Sequence, residues 1–429
     1  MKLKDMSVNF QIHEGTLLAL RFEVRAFLGE GSFGKVAKCV DTVTHREVAI
    51  KVTKDEPYLK ERALEEIKIL EELKTLDPDR CHLVRWNGSF FHQTLICLQF
   101  ELLDLSLYDY MQQRHFRPLS MGEIRPILHQ LTTALLHLGG LEIVHADLKL
   151  ENIMVVDRRQ QPMQVKLIDF GLAHHVSDVP DTWVQSLWYR APEVLLGLNF
   201  SKPIDMWSLG LVAAELALGY PVFPADNEYE MMKFIVDTLG QPPDYQLTCA
   251  LNSTCFFKFD SSFTQTWIMK TPDEFPTITG YKFRDTRGFQ SLNVLKMKLY
   301  YRNKANRNEV EQFVDLLQKM LVVDKNDRII PLKVLEYPFF TVGQQSDSSQ
   351  NMNFTYLMDN MGEPNVTQRP SSQGDGTAPL TVFIHGDTGI TGPKNVSVNL
   401  DEAAVDDTIK KDMGWFISFV SRIEKTVCS

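Results

Sequence analysis

The chain has 429 residues, 44% hydrophobic and 23% charged, an ordinary composition for a globular protein of two or three domain-sized units. Its net charge of −10 argues against a nucleic-acid binder, and no apolar run reaches the roughly 18 residues of a membrane span. Six scattered cysteines without a CxxC pair argue against a disulfide framework or zinc site, and Met1 to Phe10 lacks the apolar stretch of a signal peptide, so the expected location is nucleus or cytoplasm rather than secretion.

Residues 1–21 read as an N-terminal extension. From Phe22 the pattern is strand-rich, with Val36 to Val40 and Val48 to Val52 as short β-branched strands. Leu59 to Leu76 is helical, its Ile67, Leu70 and Leu73 spaced by three beside a charged face. Val84 to Phe91 and Leu95 to Glu101 read as two further strands. Beyond Leu103 the chain turns helical, with Ile124 to Leu138 and Asp205 to Leu218 as long apolar helices. The expected fold is therefore α+β and bilobal: a small β-rich lobe over 22–102, a larger helical lobe over 103–340, and a cleft between them.

Four clusters carry chemistry. Leu28-Gly29-Glu30-Gly31-Ser32-Phe33-Gly34-Lys35-Val36 is a GxGxxGxV loop, whose glycines let backbone N–H groups lie close over phosphates. The glycines alone would suit a dinucleotide fold, which needs an acid about 20 residues on to hold a ribose. Here that stretch ends instead in Val48-Ala49-Ile50-Lys51. A lysine on an apolar strand calls for an anion, and the following helix offers Glu65 or Glu66. Glu66 is preferred because it shares one inward stripe with Ile69, Leu70 and Leu73.

The second cluster runs from His145 through Ala146, Asp147, Leu148 and Lys149 to Asn152. Asp147 can accept a hydroxyl proton, a role worth roughly 10²–10⁴ in rate. Lys149 can neutralise a moving phosphoryl group, and Asn152 can bind a metal through its carbonyl oxygen. The third cluster is an apolar strand, Val165 to Ile168, delivering Asp169-Phe170-Gly171, with Asp169 suited to chelate Mg²⁺. The fourth, Ala191-Pro192-Glu193, has Arg328 as an expected buried partner for Glu193, with Asp205 opening the next helix.

In this order, the clusters resemble those of eukaryotic protein kinases across about Phe22 to Phe340. Within that group the chain looks most like the homeodomain-interacting protein kinases, relatives of the dual-specificity tyrosine-regulated kinases. The likeness rests on His145-Ala146-Asp147-Leu148-Lys149, with alanine in place of the usual arginine, and on Glu101-Leu102-Leu103 followed by Leu107-Tyr108-Asp109. An insert from Phe256-Phe257 through Trp267 to Glu274 adds to it. The resemblance implies ATP and Mg²⁺ as cofactors and serine or threonine in other proteins as acceptor. It implies an adenine site roofed by Val36 and Ala49 and floored by Met154. Phe100 would be the bulky residue behind it, with the backbone of Glu101 and Leu103 along the adenine edge. Ser186 would tie Asp147 to Lys149. The rival class is a pseudokinase scaffold that binds partners without transfer.

The chain also departs from the family. In Asp181-Thr182-Trp183-Val184-Gln185-Ser186-Leu187-Trp188-Tyr189-Arg190, Trp183 stands where the family has a tyrosine phosphorylated in maturation. Leu187 stands where an arginine would receive that phosphate. Losing both together is coherent, and the expectation is a segment ordered by aromatic packing, without tyrosine phosphorylation. Leu150 replaces a usual proline, with loop stiffness the only expected effect.

Residues 341–379 read as a flexible linker, rich in Ser, Gln, Asn, Gly and Pro. Residues 380–429 read as an acidic tail. Within it, Leu380 to Ile384 is strand-like, suited to a partner's sheet edge or to packing on its own protein. Asp401 to Lys425 is an amphipathic helix that would dock on the large lobe or on a partner protein.

Overall fold

The computed structural model describes residues 12–31, 34–178, 184–262, 265–275, 291–303 and 306–341. The expectations for the tail, for most of the linker, and for Ser32, Phe33 and Trp183 fall outside these residues. Thr341, read from the sequence as linker, closes the helix Pro338–Thr341.

The β-rich half is one antiparallel sheet of β1 (Leu17–Leu18), β2 (Phe22–Glu30), β3 (Gly34–Asp41), β4 (Glu47–Thr53), β5 (Trp86–His92) and β6 (Leu95–Glu101), ordered β1-β2-β3-β4-β6-β5. Alternate residues of these strands face inward, and Val24, Ala37, Cys39, Ile50 and Cys97 form its core. Register places Val36 opposite Lys51, and Ala49 opposite Phe100. By the two-residue period of a strand, these four share one face.

The single helix of this half, α1 (Pro57–Leu73), starts on a proline, whose fixed φ suits a first turn and whose missing N–H costs nothing there. It buries Leu59, Ala63, Glu66, Ile69, Leu70 and Leu73. Ile67, counted from the sequence as part of the apolar stripe, is only half-buried. The buried face is turned just enough to carry Glu66 inward.

The second half is held by two buried helices. After β7 (Leu105–Ser106) and α2 (Leu107–Gln113), α3 (Met121–Gly140) opens with a capping box. Ser120 Oγ accepts from the Glu123 N–H, and the Glu123 carboxylate takes the Ser120 N–H. The strands β8 (Ile143–Val144), β9 (Ile153–Asp157), β10 (Gln161–Leu167) and β11 (His174–His175) form two small sheets, β7-β9-β10 and β8-β11. These sheets frame the loops between β8 and β9 and after β10. Next come α4 (Pro192–Leu195) and α5 (Pro203–Leu218).

Helix α5 is buried continuously from Ile204 to Leu218, so it is the hub of this half rather than a surface helix. It ends at Gly219, φ +81°, where a Cβ would lie 2.0 Å from the Phe116 carbonyl oxygen. Helix α6 (Glu228–Leu239) follows. The expected insert forms a hairpin of β12 (Phe257–Asp260) and β13 (Thr266–Met269).

Candidate active site

Lys51 enters the site from β4, a central strand, so its position is fixed by pairing on both sides. Its Nζ lies 2.8 Å from both carboxylate oxygens of Glu66 and 2.8 Å from Asp169 Oδ1. Glu65, the competing candidate, points outward to Arg62. Burial alone would lower the Lys51 pKa, but the two carboxylates override it and raise it. Burial alone would likewise raise Asp169, but Lys51 outweighs it and brings the carboxyl down to about 2. Burial holds Glu66 above its ordinary value against the pull of Lys51. Asp169 has φ +61°, a strained backbone for a non-glycine residue. Gly171 keeps this corner roomy: a Cβ would stand a tight 3.3 Å from Asp169 Oδ1 and at ordinary contact distance, 3.5 Å, from Lys51 Nζ.

The loop between β8 and β9 is clamped from below. Asp205, at the start of α5 and 3% exposed, accepts the N–H of His145 at 2.7 Å and of Ala146 at 2.9 Å. Burial raises its pKa, and the facing His145 and the two N–H groups oppose that. The His145 ring takes the Asp147 N–H on Nδ1 at 3.2 Å and faces the Ile168 carbonyl with Nε2 at 3.0 Å. With the Asp147 N–H on Nδ1, Nε2 is the ring nitrogen that donates, to the Ile168 carbonyl. The ring also packs edge-on against Phe170, centroids 5.2 Å apart, which ties this loop to the Asp169 segment.

Above the clamp, Asp147 collects three donors. Ser186 Oγ donates to Oδ1 at 2.9 Å; Lys149 Nζ, at 2.8 Å, and Asn152 Nδ2, at 2.9 Å, donate to Oδ2. Lys149 also reaches Ser186 Oγ at 3.0 Å, the tie implied by the resemblance. Its pKa, lowered by burial alone, is raised by the charge of Asp147. Asn152 Nδ2 has a second acceptor in the Asp147 carbonyl at 2.8 Å. With its nitrogen engaged twice, the amide keeps its oxygen for another partner. Leu150, buried, begins a single 3₁₀ turn, Leu150–Asn152, that sets Asn152.

Of the glycine loop, Gly29 and Gly31 border open space: a Cβ on either meets nothing within 4 Å. Gly34 has a different reason to be glycine, since a Cβ there would lie 2.1 Å from the Val52 carbonyl oxygen. Leu28, Glu30 and Lys35 are exposed along the same edge. Val36, Ala49, Phe100 and Met154 are each half-buried. The Glu101 N–H is taken by the Arg85 carbonyl at 3.0 Å, whereas nothing among the described residues accepts the Leu103 N–H.

The activation segment resumes at Val184. Gln185, φ +64°, is a residue the sequence reading gave no role. Its N–H bonds the Ala146 carbonyl at 2.8 Å, and its buried amide links Ile204, Ser208 and Ala191. Its carbonyl receives Arg190 Nε at 3.2 Å and Nη2 at 3.0 Å, while Arg190 Nη1 pairs with Glu228. Leu187 begins the 3₁₀ turn Leu187–Tyr189 and is half-buried. Glu193 and Arg328 form a two-pronged pair at 2.7 and 2.9 Å, both fully buried. Asp205 and Gln185 were legible in the sequence only as a helix start and a loop residue, because their bonds cross tens of residues.

The protein kinase domain profile matches residues 22–340. The chain is 41% identical over 353 residues to homeodomain-interacting protein kinase 2 of Mesocricetus auratus, covering 79% of this chain and 30% of that protein. It is 41% identical over 340 residues to homeodomain-interacting protein kinase 1 of Caenorhabditis elegans, covering 75% and 40%. To homeodomain-interacting protein kinase 4 of Rattus norvegicus it is 35% identical over 387 residues, covering 86% and 62%. The chain thus spans about 30% of the length of the first of these relatives. It belongs to the protein kinase family, and its fold is the bilobal α+β fold expected from the sequence. No helix among the described residues is long and apolar enough to cross a membrane.

Proposed function

Taking that membership as the premise, we propose that this chain transfers the γ-phosphoryl group of ATP, with Mg²⁺, to serine or threonine hydroxyls of other proteins. The observation that carries the proposal is the pair of polar clusters built from distant segments: Lys51, Glu66 and Asp169 in one, Asp147, Lys149, Asn152 and Ser186 in the other. A scaffold without transfer would not require this many groups to be held in mutual contact.

The residues fit a hard divalent cation. Asp169 is kept ionised by Lys51, and Asn152 is oriented with its oxygen left over, giving two oxygen ligands of the kind Mg²⁺ shares with phosphates. Bound there, Mg²⁺ would neutralise phosphate charge. Lys51, held by Glu66, would grip the α- and β-phosphates, and Gly29 and Gly31 leave room for the backbone to approach them. Asp147 is placed to orient the acceptor hydroxyl and take its proton. Lys149, kept charged beside it, would stabilise the negative charge that develops in transfer. The unpaired Leu103 N–H is suited to an adenine nitrogen. The test is Mg-ATP-dependent labelling of a generic protein substrate, with Asp147→Asn as control. Label on wild type alone supports transfer; equal label from both proteins sinks it.

The family resemblance suggests proline after the target serine, and the Gln185 carbonyl, already taken by Arg190, is compatible with a following residue that brings no N–H to it. A proline there has no N–H to leave unpaired, whereas any other residue risks roughly 1–3 kcal/mol. A Ser-Pro peptide should therefore exceed its Ser-Ala counterpart about tenfold in kcat/KM. Equal values would remove proline dependence. For location we propose nucleus or cytoplasm, supported by the free Cys39, Cys81, Cys97, Cys249 and Cys255.

A further inference from the structure

Lys166 is an ammonium where an aliphatic side chain would be expected. It lies in β10 between the buried Val165 and Leu167, and the residue is 1% exposed. Its Nζ sits 2.6 Å from Asp79 Oδ1 and 2.6 Å from Glu101 Oε1. The same Glu101 oxygen accepts the Arg85 N–H at 2.6 Å, and the Glu101 N–H returns to the Arg85 carbonyl at 3.0 Å. Arg85 closes the circle through its guanidinium on Asp79 Oδ2. Hydrogen bonds with Lys166 and Arg85, and their charges, hold the Asp79 carboxyl below its ordinary range, the Lys166 bond foremost.

One buried charge thus joins three places: the loop after α1, the last residue of β6, and β10. The loop is further zipped to β10, with the Leu167 N–H on the His82 carbonyl at 2.8 Å and the Val84 N–H on the Leu167 carbonyl at 3.0 Å. Register puts Met154 directly opposite Lys166. The edge at Glu101 and Leu103 and the floor at Met154 therefore share one anchor. Burying an ammonium is a poor route to stability, because an apolar residue of similar volume would serve as well; it fixes relative position.

We propose that Lys166 is a positioning residue for the nucleotide: through Glu101 it sets the separation between the Glu101–Leu103 edge and the Met154 floor. This rests on the ATP-binding reading above, and the two can fail separately. The experiment measures ATP affinity by calorimetry with Mg²⁺ present, together with kcat and the KM values for ATP and a peptide. Wild type is compared with Lys166→Met, Lys166→Arg and Glu101→Gln, each checked for folding by thermal melting.

Lys166→Met is expected to raise the ATP Kd and KM about tenfold, with kcat at saturating ATP and the peptide KM within about twofold of wild type. Lys166→Arg, which keeps the charge, is expected to recover most of the loss. An unchanged ATP Kd in folded Lys166→Met, or a fall in kcat alone, overturns the proposal. If Lys166→Met does not fold, Glu101→Gln decides. It retains an oxygen for Arg85 and Lys166 but not the charge, so its Kd should rise about threefold, and an unchanged value overturns the proposal. Wild type that binds no ATP would instead overturn the ATP-binding reading, and this proposal with it.

Discussion

Two buried charge clusters in this molecule look alike in a list of contacts and differ in what they leave over. Around Arg328 every donor is spent. Nε meets the Val322 carbonyl, Nη1 meets Glu193 and the Pro203 carbonyl, and Nη2 meets Glu193 and the Val323 carbonyl. The guanidinium also lies over the Trp207 ring, 5.1 Å from its centroid. One cation faces one anion, both out of water. Around Lys51, one ammonium faces two carboxylates, and the side chain of Asp169 is 32% exposed. That cluster keeps an excess negative charge and an open edge. A closed, neutral cluster fastens the fold; an open, unbalanced one awaits a ligand.

The difference can be broken by substitution, beginning with the largest effect. Lys51→Met should lower turnover by at least about two orders of magnitude while the protein still folds, with a lower melting temperature because Glu66 is left buried beside Asp169 without its ammonium. A folded Lys51→Met protein with normal activity would contradict the comparison. Arg328→Met should act on the fold instead, costing ~3–5 kcal/mol of stability by leaving Glu193 buried without its partner. Denaturant melts check this, and a stable Arg328→Met with altered ATP affinity would assign the two clusters wrongly.

A smaller effect sharpens the contrast through a third buried acid. Glu215 on α5 accepts the Tyr189 hydroxyl at 2.7 Å, and burial pushes its carboxyl up to about 8 from 4.5. A raised carboxyl favours the fold while neutral. Its contribution is thus full below about pH 4.5 and is lost as pH rises through about 8. Between pH 5 and 8 the wild-type melting temperature should fall by roughly a few °C relative to Glu215→Gln. Parallel curves would show that Glu215 does not titrate in this range.

The same contrast explains what the sequence disclosed. Lys51, Asp147, Asn152 and Asp169 were legible because their chemistry sits at fixed short spacing beside apolar strands. Glu66 is legible because it shares a helical stripe with Ile69, Leu70 and Leu73, all four buried, whereas Ile67, which the three-residue spacing adds, is only half-buried. Asp205, Gln185 and Lys166 were not legible in these roles. Each acts through partners tens of residues away, and nothing local marks an aspartate as a clamp or a strand lysine as an anchor. Gly34 was read as a phosphate glycine from its motif, yet its contact with Val52 supplies a packing reason that no motif contains.

The most direct test of the open cluster is the dependence of ATP affinity on Mg²⁺, measured by calorimetry on wild type and on Asp169→Asn. Tighter binding with the metal in wild type, and no such gain in Asp169→Asn, is the result predicted. Equal affinity with and without Mg²⁺ in wild type would contradict the assignment of Asp169 and Asn152 as the metal's ligands.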